Sequence, residues 1–319
     1  MRRRRLAVVT ASLAAGFVSA CGAGSSSPAH LASPVAATSP TPLVVPASPT
    51  RAQRPPRLRR LDFGGTRVLP GHTVVAYYGT AGTPSLGVLG DRPPAAEWSH
   101  VLAASRPFYS PYRPSVPAYE LIVDVEQGAP GPHHDYVRPI PAAAIASYLR
   151  TVHRRHGLLI LDIQPGRDDF LPLAQRLRHW LLDPDVGLAL DPEWKLYGRQ
   201  RPDRQIGHTN AHAINAVSGW LSQLTAAHRL PQKLLLVHQF TATEIRGYNR
   251  VRQRHRIATV FNMDGFGTPA GKLASYRIVR RQHHRFALGF KLFYRQDIHL
   301  LSPARTLALH PAPQVVEYE

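Results

Sequence analysis

Leu188-Ala189-Leu190-Asp191-Pro192-Glu193-Trp194 is a short apolar run that ends in two acids and an indole. The same punctuation recurs in Leu121-Ile122-Val123-Asp124-Val125-Glu126 and in Leu158-Leu159-Ile160-Leu161-Asp162-Ile163-Gln164. It returns in Leu234-Leu235-Leu236-Val237-His238-Gln239 and in Val260-Phe261-Asn262-Met263-Asp264. Strands of a parallel sheet, covered on both faces, read as unbroken apolar runs. The pattern predicts strands over 73–78, 120–126, 158–164, 186–193, 233–239, 257–264 and 287–294, with a candidate eighth at 314–318.

Helical spacing fills the gaps. Ile145, Tyr148, Leu149 and Val152 share one helix face, as do Leu173, Leu177, Trp180 and Leu181 behind Asp168 or Asp169 as a cap. Ile214, Val217, Leu221 and Leu224 form a third face that stops before Pro231. Strands alternating with helices over this length imply an α/β fold, a (β/α)8 TIM-type barrel. An open, doubly wound sheet is the alternative.

The first residues read as an address. Arg2 to Arg5 precede an apolar stretch too short to span a bilayer, and Val18-Ser19-Ala20-Cys21 has the form of a lipobox. Residues 1–20 are therefore expected to be a lipoprotein signal peptide, with Cys21 as the lipidated N-terminus. Cys21 is the sole cysteine, so no intrachain disulfide is available. Residues 21–62, rich in Ser, Ala, Pro and then Arg, read as a tether, and 63–319 as the barrel domain. The expected location is the extracytoplasmic face of the cell membrane, with membrane lipid as one partner and cell-wall polysaccharide as the other. The formal charge of +19 comes from 39 cations, mostly arginine. Their scatter and the expected address argue against nucleic acid.

Residues i and i+2 of a strand share a face. On that rule Asp191 and Glu193 point together, as do Asp124 and Glu126, Asp162 and Gln164, and Asn262 and Asp264. Barrels carry their chemistry at the C-terminal ends of the strands, so these groups are expected to converge. Converging carboxyls repel, which raises some pKa values and separates a proton donor from an ionised partner, as glycoside cleavage requires. The expected catalytic set is Glu193 as general acid, Asp191 as its partner, and Asp162 and Asp264. The expected substrate contacts are Tyr77, Tyr78, Asp124, Glu126, Gln164, Trp194, His238, Gln239, Lys291 and Tyr294. No cofactor is expected. Two alternatives stay open: a non-catalytic glycan-binding or scaffold barrel, and a metal-dependent hydrolase using Asp162, Asp191, Glu193, His238 and Asp264.

Asp191-Pro192-Glu193 on the fourth predicted strand is similar to the end of the motif of substrate-assisted chitinase-type barrels. There the Glu is the acid and the Asp holds an acetamido group; the earlier aspartates of that motif correspond here to Gly187-Leu188-Ala189. More broadly, Ala76-Tyr77-Tyr78-Gly79, Leu161 through Arg167, Val186 through Trp194, Pro231 through Phe240 and Phe290 through Tyr294 resemble a family of secreted and lipid-anchored actinobacterial proteins. That resemblance implies a glycosidase-like barrel over about residues 70 to 307, with no activity established for the family. This chain departs from it at Phe290 and Leu292, and at Arg295-Gln296, where the family has acids and only Asp297 remains.

Overall fold

The computed structural model describes residues 57–131, 134–202 and 204–319. The expected signal peptide, Cys21 and most of the tether lie outside the described residues. Eight parallel strands close a barrel: β1 Thr73–Gly79, β2 Ser115–Glu126, β3 Leu158–Ile163, β4 Val186–Leu190, β5 Lys233–Gln239, β6 Ile257–Met263, β7 Ala287–Leu292 and β8 Val315–Tyr318. Closure is explicit: β1 pairs on one side with β2, Ala76 opposite Ala118, and on the other with β8, Val75 opposite Val316. The (β/α)8 expectation holds, and the eighth strand is the candidate near the C-terminus.

Helices occupy six of the seven connections: α1 Pro94–Ser105, α2 Ala142–Arg155, α3 Phe170–Arg176 with α4 Arg178–Leu181, α5 Ala211–Ala227, α6 Pro269–Gln282 and α7 Pro303–Leu307. The link between β5 and β6 has no α-helix; it carries a short strand, Ile245–Arg246, paired with Thr209–Asn210, and a 3-10 turn at Tyr248–Arg250. Asn210 caps α5 by accepting from the Ala213 amide, and Thr268 caps α6 in the same way through Gly271. Among the described residues no helix is long and apolar enough to cross a membrane.

Two apolar layers hold the fold. The outer layer seats helix residues such as Ile145, Val152, Ile214 and Leu221 against Tyr119, Leu161, Leu188 and Phe261 of the strands. The inner layer fills the barrel with Val74, Ala76, Ala118, Ile160, Ala189, Leu236 and Val260, closed from below by Leu61, Val68 and Leu69. These layers and all eight strands lie within one compact unit, Pro55–Glu319. Inward positions alternate along each strand, so Val74, Ala76 and Tyr78 follow one another up β1, and Leu234, Leu236 and His238 up β5.

Gly289 on β7 faces Asn262 on β6, and a methyl group there would fall on the Asn262 amide oxygen. We expect Gly289→Ala to destabilise the domain by about 1–3 kcal/mol, the usual cost of overpacking. A denaturation midpoint matching wild type would contradict that contact.

Candidate functional site

The upper third of the barrel interior is polar, which is unusual for a space otherwise filled by aliphatic side chains. At its base His238 bridges two acids: Nε2 lies 2.7 Å from Glu120 Oε1 and Nδ1 lies 2.8 Å from Asp264 Oδ2. Asn262 donates to Glu317 Oε2 at 2.7 Å. Glu120 and Glu317 are both fully buried beside His238. Burial pushes Glu317 up strongly, reinforced by the charge of Glu120. Burial acts to raise Glu120 as well, but its neighbours Glu317 and His238 outweigh it and hold Glu120 low. Burial works against the charged form of His238, yet Glu317, Glu120 and Asp264 together drive its pKa well above normal. His238 is therefore an imidazolium with both N–H groups engaged.

Above this lies Lys291, which contacts Asp264 at 3.1 Å and Glu319 at 2.8 Å and sits 3.3 Å from the centroid of the Tyr78 ring. Burial opposes ionisation of Asp264, but Lys291 and His238 more than compensate and hold it well below the usual carboxylate range. Tyr78 donates toward Asp162 Oδ2 at 3.3 Å and Asp191 Oδ2 at 3.2 Å, and Gln164 donates to the Tyr78 oxygen at 3.3 Å. One phenol proton cannot serve two carboxylates in a dry site. Accordingly burial raises Asp162 to about 7, and burial with Glu193 and Asp162 nearby raises Asp191 well above normal. Glu193, half-buried, is pushed to about 8 by desolvation first and then by the charges of Asp264 and Glu244.

Glu193 stands between two cavities. One, of about 240 Å³, is lined by Tyr78, Gln164, Glu193, Trp194, Asp264 and Lys291 under an aromatic lip. In that lip Phe240 stacks on Phe266 at 5.8 Å, and Phe293 meets Phe266 edge-on at 5.7 Å. The other, of about 310 Å³, is walled by Glu193, Trp194, Leu196, Arg204 and Ile206.

The structure thus gathers Asp162, Asp191, Glu193, Asp264, Tyr78, Gln164, Trp194, His238 and Lys291. It corrects the reason for one of them. Glu193 does not ride on the strand beside Asp191: β4 stops at Leu190, Pro192 offers no N–H to a ladder, and Pro192–Trp194 forms a 3-10 turn. Other expected contacts are elsewhere. Tyr77 has outward parity, and its hydroxyl lies 3.2 Å from that of Tyr294, which stacks on Tyr318 at the rim. Gln239 also points outward and is tied to Gln282 and His283 of the α6 end. Asp124 is turned out by a bulge between Ile122 and Asp124 and pairs with Arg176 of α3 at 3.0 Å. Glu126 lies one turn of the pleat further, where its amide donates to Gln164. Asp297, the remaining acid after β7, is held by Lys272 at 2.7 Å and by the Phe293 amide.

Glu120 and Glu317 were not among the expected site residues. Their signal was present: each is an acid inside an apolar strand, at the parity of the inward residues Ala118 and Val315. Ligand atoms of Glu120, Asp162 and His238 lie within 4.8 Å of one another. A metal there would need a lone pair from His238, whose two nitrogens are spent on Glu120 and Asp264. The donor set does not fit a cation in this protonation state.

So many raised carboxyls fix the direction of pH dependence. Asp124 and Asp185 stand at about 6, Asp162 at about 7, and Glu193 and Glu244 at about 8, with burial the leading cause each time. Folded, they keep protons that the unfolded chain has released. Their contribution is full below the unfolded carboxyl value and is lost as pH rises through the folded ones. His283, held down to about 3 mainly by burial, opposes them with a single proton. We expect the melting temperature to fall between about pH 5 and pH 7, each net proton weighing about 1.4 kcal/mol per pH unit. A flat or rising profile would contradict the assignment.

No family model matches the chain, and no curated protein does. Among solved structures it is similar to the spore coat polysaccharide biosynthesis protein spsE of Bacillus subtilis, with 10% identity and a TM-score of 0.46 over 77% of this chain. The chain spans 59% of that protein's length. It is equally similar to 2,3-dimethylmalate lyase, a member of the PEP mutase/isocitrate lyase superfamily, at 10% identity and a TM-score of 0.46, covering 78% of this chain and 77% of that one. The closed pairing of β1 with both β2 and β8 makes the fold a barrel independently of either neighbour.

Proposed function

We propose that this protein is a glycoside hydrolase that works on cell-wall polysaccharide, held at the outer face of the membrane through an acylated Cys21. The observation that carries the reading is the pairing of Glu193 and Asp264 on one cavity wall, the first held protonated and the second held ionised. Glycosidic cleavage needs a carboxylic acid to protonate the leaving oxygen and a carboxylate to meet the charge that develops at the anomeric carbon. Glu193 borders cavities on both of its sides, as a donor to a bond bridging two sugar subsites must. The ionised partner in this reading is Asp264. Asp191 is fully buried beneath Tyr78, where it and Asp162 help to keep the site's protons in place. Phe266, which is exposed, and Phe240 stacked against it offer apolar ring surface to a sugar.

The test is the release of new reducing ends from wall-derived and chitin-type glycans by residues 57–319, compared with Glu193→Gln. Turnover that survives the substitution would remove the mechanism. Retention of glycan without turnover by both proteins would leave a binding barrel.

A further inference from the structure

The charge of this chain is unevenly divided between the two ends of its barrel. The loops that leave the C-terminal ends of the strands, around the candidate site, hold eleven Arg and Lys residues against eleven acids. The loops that lead into the strands, 57–72, 106–114, 156–157, 182–185, 228–232, 254–256, 283–286 and 308–314, hold ten arginines and three aspartates. Two of those aspartates are already engaged: Asp183 with His153 at 3.1 Å, and Asp185 with the Asp62 amide at 2.9 Å. The arginines frame one continuous basal groove. Arg67 and Arg256, with Gln232 and His255, line both a hollow of about 320 Å³ and a neighbouring one of about 580 Å³ that adds Arg254 and Arg285.

Aromatic residues accompany the cations. Tyr112 is 97% exposed and Tyr109 60%, both on the loop just below β2. A turn closed between Ser110 and Arg113 presents Tyr112 at its tip. The described chain also enters here, where the Arg59 amide donates to Arg229 and the Arg59 guanidinium to Leu182.

We infer that the basal face of the barrel docks on an anionic phospholipid bilayer and turns the polar mouth away from it. Arginine clusters are drawn to anionic headgroups, and their long stems let the charge reach the phosphates while the chain stays at the surface. Tyrosine is a residue of the bilayer interface, apolar along the ring and wet at the hydroxyl. The tyrosines favour a bilayer over a soluble polyanion, which would match the arginines alone. The inference does not depend on what the mouth does, nor on lipidation of Cys21.

The experiment is co-sedimentation of residues 57–319, which carry both apolar layers of the fold. The vesicles are phosphatidylcholine alone or with roughly a third phosphatidylglycerol, at about 0.1 M salt. Binding is expected to be at least about tenfold stronger on the anionic vesicles and to be lost at high salt. Arg67→Glu/Arg256→Glu/Arg285→Glu should abolish it. Arg199→Glu/Arg201→Glu/Arg204→Glu, an equal change of charge on the loop after β4, should leave it largely intact. Arg57→Glu/Arg60→Glu, at the exposed start of the basal face, gives the same reading should the first triple fail to fold. Equal losses in the two triples would reduce the effect to net charge and overturn the inference. Binding to soluble polyphosphate without binding to vesicles, or no effect of Tyr112→Ser, would overturn the choice of a bilayer.

Discussion

Glu193→Gln is expected to lower turnover of a wall glycan by a factor of about one hundred to ten thousand, the range that positioned proton donors contribute. The fold should hardly notice. At neutral pH the Glu193 carboxyl already carries its proton, being raised to about 8 by desolvation and by Asp264 and Glu244. Glutamine copies that neutral group in shape, so the melting temperature near pH 6 should stay close to wild type. The pH profile adds a second mark. Wild-type turnover should fall as pH rises through about 8, where the donor is lost, and the residual activity of the variant should not follow that limb. Asp264, held far below neutrality by Lys291 and His238, sets no limb near pH 5. An unchanged turnover number, or a variant that unfolds, would defeat this account of Glu193.

His238→Leu should do the reverse and cost about 3–5 kcal/mol of stability, as expected when one partner of a buried ion pair is removed and the other stays. Its neighbours make the cost large. Glu120 and Asp264 are both held ionised by this ring, at 2.7 and 2.8 Å, in a space that admits little water. Without the imidazolium one or both must take up a proton, and the network through Asn262 to Glu317 must rearrange. Acid should therefore narrow the gap: near pH 4, where protonation of the orphaned acids is easy, the variant should approach wild type. Urea denaturation at several pH values measures this. A loss below about 1 kcal/mol at neutral pH would mean that His238 is not what keeps Glu120 and Asp264 ionised.

The barrel was legible in the sequence because its strands are buried on both faces, so each reads as an apolar run with a polar stop. The convergence of Asp162, Asp191, His238 and Asp264 followed from the same stops. What was not legible depended on parity. Tyr77 and Tyr78 are adjacent, and only the registration of β1 in the barrel decides that Tyr78 faces the interior. Gln239 follows His238 and falls outward for the same reason. Glu193 reached the cavity by a route that strand alternation does not describe, since Pro192 ends the ladder and a turn of 3-10 helix swings the side chain over the mouth. Glu120 and Glu317 were hidden because an acid amid apolar neighbours attracts notice only once the inward parity is known.

The bulge in β2 has a bearing on how such a site tolerates change. Glu120 and Asp124 are four residues apart and would share a face on an unbroken strand, yet one serves the interior and the other clamps α3 through Arg176. The extra residue acts as a frame-shift in the fold. Drawing that residue into the ladder, so that Val123 and not Asp124 stood opposite Ile163, would turn Asp124 inward and thread a second acid into a chamber whose cations are already matched, whereas deleting Val123 would close the bulge and leave Asp124 facing Arg176. Lineages of this barrel should therefore lose the extra residue more readily than they straighten the strand around it.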